Sequence, residues 1–226
     1  EPWQEPLEAT ESAGPCTQWE GRGARAGQTR QVIGSEDCLY LDVYAPRAEP
    51  EAVPPDGSGL PVMLWIHGGG NSIGRAGFYD GGNLAASQDV VVVAINYRLS
   101  PKVAFPAHII DVKKAIAWIR EHIAEYGGNP DYIAITGGSA GGHLSALAAL
   151  TPNREEWQPG FEQADTRLQA AVPFYGVYDF LDRYDIRSEM SMEQMVADRV
   201  MQCTLQENKA LWEAASPLDH VSAEAP

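Results

Sequence analysis

The chain has 226 residues, 44% of them hydrophobic and 21% charged, values of a globular domain large enough to bury a substantial core. Its formal net charge of −15 argues against nucleic acid and anionic membrane surfaces as partners. The longest apolar run, residues 90–95, falls far short of the about 18 residues that span a bilayer.

Residues 1–35 are rich in Gly, Pro, Glu and Arg without clean periodicity and predict an extended surface loop. Residues 39–44 read as a strand ended by Pro46, and residues 46–60 as a surface linker. A second apolar strand, 61–66, runs into His67-Gly68-Gly69-Gly70 and a polar stretch to Gln88. Residues 90–95 are apolar on both faces, the pattern of a parallel strand covered by helices. Phe105-Pro106 opens a long amphipathic helix on which Ile109, Val112, Ile116, Ile119 and Ile123 recur at helical spacing. Lys113, Lys114, Arg120 and Glu121 fall among its polar positions, and Gly127-Gly128-Asn129-Pro130 stops it. A strand over 132–136, a helix over 144–150 and a strand over 168–175 follow. From Tyr178 the chain turns helical, over 191–201 and 206–215, before a turn at Ser216-Pro217. This alternation predicts an α/β fold with a mostly parallel sheet.

Between the 132–136 strand and the next helix stands Gly137-Gly138-Ser139-Ala140-Gly141, the Gly-x-Ser-x-Gly pattern in the strand–turn–helix context of a nucleophile elbow. The turn is so tight that positions two before and two after the serine must lack bulk. The serine hydroxyl is thereby lifted clear of the sheet, with a helix N-terminus aimed at the reacting atom. Ser139 is the candidate nucleophile. Gly68, Gly69 and the amide of Ala140 are the candidate oxyanion donors, with Gly70 completing the loop. A nucleophile loop and a glycine-rich amide loop, each at a strand's end, are the apparatus of acyl transfer.

A serine needs a base and the base an orienting carboxylate, which in this motif class follow the serine in chain order. Only His143 and His220 lie beyond Ser139. His143, one turn up the elbow helix, is expected in helix packing, and His220 has too little chain after it to anchor a catalytic loop. His67 is expected to end its strand and orient the loop, and His108 and His122 to lie on the long helix as surface or packing residues. Asp179 and Asp182 are positions for an acid that lacks its histidine. No His-Glu-x-x-His, Gly-x-x-x-x-Gly-Lys or Gly-x-Gly-x-x-Gly pattern calls for a metal or a nucleotide, so no cofactor is expected. Cys16, Cys38 and Cys203 show no Cys-x-x-Cys spacing. Spacing leaves open whether Cys16 and Cys38 close a loop, worth about 3 kcal/mol, or all three remain reduced.

These motifs make the chain resemble the α/β-hydrolase carboxylesterases, in two branches. Gly14-Pro15-Cys16, residues 35–44, His67–Gly70 and Ile95-Asn96-Tyr97-Arg98 resemble the type-B, cholinesterase-like group. From Tyr97 on, Phe105-Pro106-Ala107 with Asp111, Gly127–Asp131 and Ser139-Ala140-Gly141-Gly142 look more like the hormone-sensitive-lipase-like esterases. A hybrid with a junction near residue 98 is the reading that follows. Gly138 departs from the type-B elbow, which usually has glutamate there.

The resemblance implies a disulfide between Cys16 and Cys38, which favours an oxidising compartment, whereas the second half is similar to intracellular bacterial esterases. It implies an incomplete α/β-hydrolase fold: strands two to six present, and strands one, seven and eight, with the triad acid and histidine, absent. Residues 1–226 would form one partial domain, with a catalytic core over 61–177 and a cap-like segment over 178–215. The implied reaction is hydrolysis of a small-molecule carboxylic ester, of short-chain acyl type, with near-background turnover for a chain lacking its base. The alternatives are a non-catalytic cholinesterase-like interaction module, or missing strands supplied by another segment or chain. An uncovered 168–175 edge, apolar at Val172, Phe174 and Tyr175, predicts self-association.

Overall fold

The computed structural model describes residues 14–20, 31–46, 59–186, 190–223 and 225–226. Its centre is a five-stranded sheet of β3 (Leu41–Tyr44), β4 (Leu60–Ile66), β5 (Val91–Ile95), β6 (Gly128–Gly138) and β7 (Ala170–Phe174), in spatial order β3-β5-β4-β6-β7. β3 pairs antiparallel with β5, and the remaining pairings are parallel. All five residues of β5 are buried, so both faces of the central sheet are covered there. On β4 the alternation is visible: Val62, Leu64 and Ile66 are buried, and Met63 and Trp65 only partly so. The mostly parallel α/β architecture expected from the alternation of elements is the one observed.

Three helices flank the sheet: α1 (Gly82–Gln88) against β5, and α2 (Ala107–His122) and α3 (Ala140–Leu150) against each other and β6. The apolar stripe of α2, Ile109, Val112, Ile116 and Ile119, is fully buried. After α2 a 3₁₀ turn, Ile123–Tyr126, ends on Gly127 in the left-handed region, and β6 begins at the next residue. The strand is therefore longer than the expected 132–136, because Gly128 already pairs with Leu60 across an irregularity in register. Towards the C-terminus, α4 (Met190–Met195) passes into a π-helical turn, Val196–Met201, and α5 (Lys209–Ala215) follows. Val196, Val200, Met201 and Trp212 join the same hydrophobic core as the sheet.

Two expectations are corrected. Within residues 1–35, β1 (Gln18–Trp19) and β2 (Val32–Ile33) form an antiparallel ribbon rather than a plain extended loop. Strands of two residues leave no periodicity to read, and the ribbon is anchored by the buried Cys16–Cys38 disulfide. Lys113 is not on the polar face of α2: it is fully buried, and its Nζ donates to the carbonyl of Thr151 and to Thr166 Oγ1. The carbonyls at the end of α3 have no helical partner, and this ammonium supplies one. Burial pushes the lysine down to about 8. Most of the predicted linker, residues 47–58, and the first 13 residues lie outside the described residues. No described helix is long and apolar enough to cross a membrane.

Candidate active site

The elbow is built by backbone crowding. Ser139 links β6 to α3 at φ 57° and ψ −120°, a conformation that L-residues adopt only under constraint from their surroundings. A Cβ at Gly137 would lie 2.4 Å from the carbonyl oxygen of Ile66, and one at Gly141 would lie 2.0 Å from that same oxygen. A Cβ at Gly142 would meet Phe174 O at 2.3 Å. The first turn of α3 is thus wedged between the ends of β4 and β7, and only glycine fits at positions 137, 141 and 142. Ser139 N donates to Phe174 O (3.0 Å), His143 N donates to Ser139 O (3.0 Å), and the Ser139 side chain is exposed.

The glycine loop meets this turn directly. A Cβ at Gly68 would lie 2.8 Å from Gly138 O and 3.3 Å from Ser139 Cβ, so the loop and the candidate nucleophile are in contact. Gly69 and Gly70 both have positive φ, 116° and 61°. Gly69 O accepts from the amides of Ser72 (3.1 Å) and Ile73 (3.2 Å), which closes the turn, and a Cβ at Gly70 would stand 4.0 Å from Met195 Sδ of α4. Ala140 opens α3 beside them. Ser139, Gly68, Gly69, Gly70 and Ala140 therefore gather where β4 and β6 end.

His67 lies beneath the loop. Its Nδ1 is 2.7 Å from Gly68 O, and since a carbonyl can only accept, Nδ1 carries the proton. The ring stacks on Tyr97 at 4.3 Å between centroids, and Tyr97 Oη donates to His67 O (2.9 Å). Burial lowers its pKa to about 4, against an opposing pull from the Gly68 carbonyl, so the ring is neutral near pH 7.

No imidazole ring of the five histidines hydrogen-bonds Ser139. His143 is buried with Nε2 donating to Ala215 O (2.8 Å) and its ring stacked on Phe180, as expected of a packing residue. His220 Nε2 reaches Ala214 O (2.9 Å), His108 pairs with Ser100 Oγ (3.1 Å), and His122 lies beside Glu121 and Glu125 on the surface. Asp179 accepts from the amides of Leu181 (3.1 Å) and Arg183 (2.8 Å), and Asp182 from that of Ile186 (3.1 Å). Both cap local turns. Among the described residues no cluster of three or more His, Cys, Asp or Glu could hold a metal ion.

Two contributors were named in the sequence only in other terms, Asp111 within a family resemblance and Tyr175 on a strand edge. Asp111, buried on α2, accepts from Arg98 N (2.9 Å) and from its guanidinium (2.7 Å at Nη2), fixing the chain after β5 to that helix. The residue type alone gave no sign of this partnership. Tyr175, directly after β7, has φ 39° and is strongly exposed, and a Cβ at Gly138 would lie 2.6 Å from its hydroxyl. Its ring thus stands where any side chain at position 138 would have to go.

Residues 1–164 match the model of the carboxylesterase family. The chain belongs to that family. The matched span includes residue 98, the junction that the hybrid reading would require. Among similar carboxylesterase relatives, the probable carboxylic ester hydrolase LipM of Mycobacterium tuberculosis is 53% identical over 173 residues, 74% of this chain and 39% of that protein. Esterase LipQ of the same organism is 47% identical over 188 residues, 82% of this chain and 43% of that protein. The butyrate-bound thermophilic esterase Est2 of Thermogutta terrifontis superposes with a TM-score of 0.62 at 27% identity, covering 82% of this chain and 64% of that one. This carboxylesterase chain therefore spans under half the length of the two mycobacterial relatives.

Proposed function

We propose that this chain carries the nucleophile and the oxyanion-binding half of a serine carboxylesterase. The contact of Gly68 with the strained turn at Ser139 supports this reading above all, because it brings a loop of main-chain donors to a perched hydroxyl. Ser139 Oγ attacks the ester carbonyl, and its proton passes to a base as the bond forms. The negative charge on the carbonyl oxygen is held by amides of Gly68, Gly69 and Ala140, each worth about 2.7–4 kcal/mol in comparable sites. Expulsion of the alcohol leaves an acyl-enzyme on Ser139, which water hydrolyses to the acid. A short-chain acyl group is the proposed substrate, supported by the butyrate bound to the Thermogutta relative.

No imidazole of these 226 residues bonds to Ser139, so the proposed base and its carboxylate come from polypeptide outside them. The 226-residue polypeptide is then expected to hydrolyse p-nitrophenyl butyrate near background and to react slowly with a fluorophosphonate probe. The longer protein is expected to turn over the ester and label stoichiometrically at Ser139, with both lost in Ser139→Ala. Label found elsewhere in the longer protein, or activity surviving in Ser139→Ala, refutes the assignment.

A further inference from the structure

The side-chain amide of Gln18 makes a two-point contact with a residue 56 positions away: its Nε2 donates to Gly74 O and its Oε1 accepts from Gly74 N, both at 2.9 Å. A third bond, Nε2 to Cys16 O at 3.2 Å, returns to the ribbon that the disulfide anchors. Gln18 is buried, so a glutamine unable to complete this set would leave polar atoms without water. What it holds is unusual. Gly74 has φ +125°, and a Cβ there would lie 2.3 Å from His67 Nδ1 and 2.8 Å from Gly68 O. Its backbone therefore lies flat against the pair formed by the His67 ring and the Gly68 carbonyl.

That pair sets the direction of a donor. The Gly68–Gly69 peptide is trans and planar, so its C=O and N–H point to opposite sides. With Gly68 O drawn to His67 Nδ1, the Gly69 N–H faces away from His67. We propose that Gln18 is a positioning residue for the glycine loop: it clamps Gly74 behind His67 and thereby fixes the Gly68–Gly69 peptide that supplies an oxyanion donor. The inference rests on the proposed function, because it takes the Gly69 amide as part of the oxyanion site. On this account the ribbon of β1 and β2 positions the glycine loop from outside it.

The test uses the longer, active protein with Gln18→Leu, which keeps the bulk and removes all three hydrogen bonds, and Gln18→Glu, which keeps only the acceptor for Gly74 N. Hydrogen–deuterium exchange reads peptides covering residues 67–74. Kinetics are referred to sites titrated with a fluorophosphonate, so that unfolded protein is not counted. Gln18→Leu is expected to speed exchange in 67–74 at least tenfold and lower kcat per titrated site about tenfold, with KM within twofold and the phosphonylation rate falling in parallel. Gln18→Glu is expected to fall between Leu and wild type. Unchanged exchange and kcat in Gln18→Glu overturn the proposal, including the case in which Gln18→Leu does not fold. Faster exchange in 67–74 with unaltered kcat and phosphonylation shows that Gln18 holds the loop but that the loop is no oxyanion site; the functional reading then fails, and the catalytic part of the proposal with it.

Discussion

Ser139 occupies a backbone conformation that costs about 1–3 kcal/mol, and the crowding around it explains how the fold enforces this. Gly141 makes the point testable. In the first turn of an ordinary helix, alanine in place of glycine stabilises by about 0.5–1 kcal/mol. Here the new methyl would press on the carbonyl oxygens of Ile66 and His67, 2.0 and 2.8 Å from the Cβ position. Gly141→Ala should therefore reverse the sign and destabilise by about 1–3 kcal/mol or more, as overpacking does. Urea unfolding of the wild type and variant measures it, and a more stable variant would show that the two strand ends can part. This steric necessity also made the tight strand-to-helix turn legible, since the spacing of glycines around a serine is a direct imprint of backbone contacts. Gln18 left no such imprint. A lone glutamine has no periodicity, and its partner lies in a loop far along the chain.

Among the elements, β7 is the outer strand of the described sheet next to β6, and Val172, Phe174 and the following Tyr175 are exposed along it. An outer strand with apolar side chains and unpaired main-chain groups invites pairing with another chain. We propose that the 226-residue polypeptide self-associates through this strand. Val172→Lys should lower the weight-average mass by light scattering and leave the thermal midpoint within a few degrees. Unchanged association would place the contact elsewhere. The sheet strands were legible because each joins an apolar run to a turn signal. They differ from expectation by one or two residues at their ends, except that β6 begins four residues early, and the two-residue β1 and β2 carried no such signal. Lys113 was misread because amphipathic periodicity assumes that every lysine faces water. It cannot foresee a helix end elsewhere in the chain whose carbonyl needs a donor.

At the scale of the molecule, three buried histidines govern the response to acid. His67 and His143 are lowered to about 4 and His108 to about 3, by burial in each case, with the nearby charges of His143 and Arg98 adding to the effect at His108. In the unfolded chain all three titrate near 6.5. As pH falls below 6.5 the unfolded state takes up protons that the folded state refuses, and stability is lost until about pH 4, where the folded rings also protonate. The loss is of order 3 kcal/mol for each of His67 and His143. Asp165 adds a loss of the same sign at lower pH: it is held down to about 2 chiefly by its bond from Arg167, so its contribution is complete above about 3.8 and disappears between there and about 2. Urea midpoints between pH 7 and pH 4 should drop steeply, and less so in His143→Gln. A flat profile across that interval would mean that these rings take up protons without unfolding. The α/β class was legible because strand and helix periods alternate cleanly. Among these rings, packing was expected outright only for His143, from its place on the helix after Ser139, since a histidine otherwise reads alike on a wet or a dry face.

Gly68, Gly137 and Gly141 bring three stretches of main chain together, each leaving no room for a Cβ against a neighbouring carbonyl oxygen. Diversification at this floor is closed off, because any substituent there displaces a neighbouring peptide rather than reshaping a cavity. Under the proposed function, selectivity among esters would be set at the margin, by Tyr175, whose hydroxyl lies 2.6 Å from a Cβ placed at Gly138, and Met195, whose Sδ lies 4.0 Å from one placed at Gly70. Under that proposal, variants sought for altered substrate range belong at those two positions, and the glycine floor is left as it is.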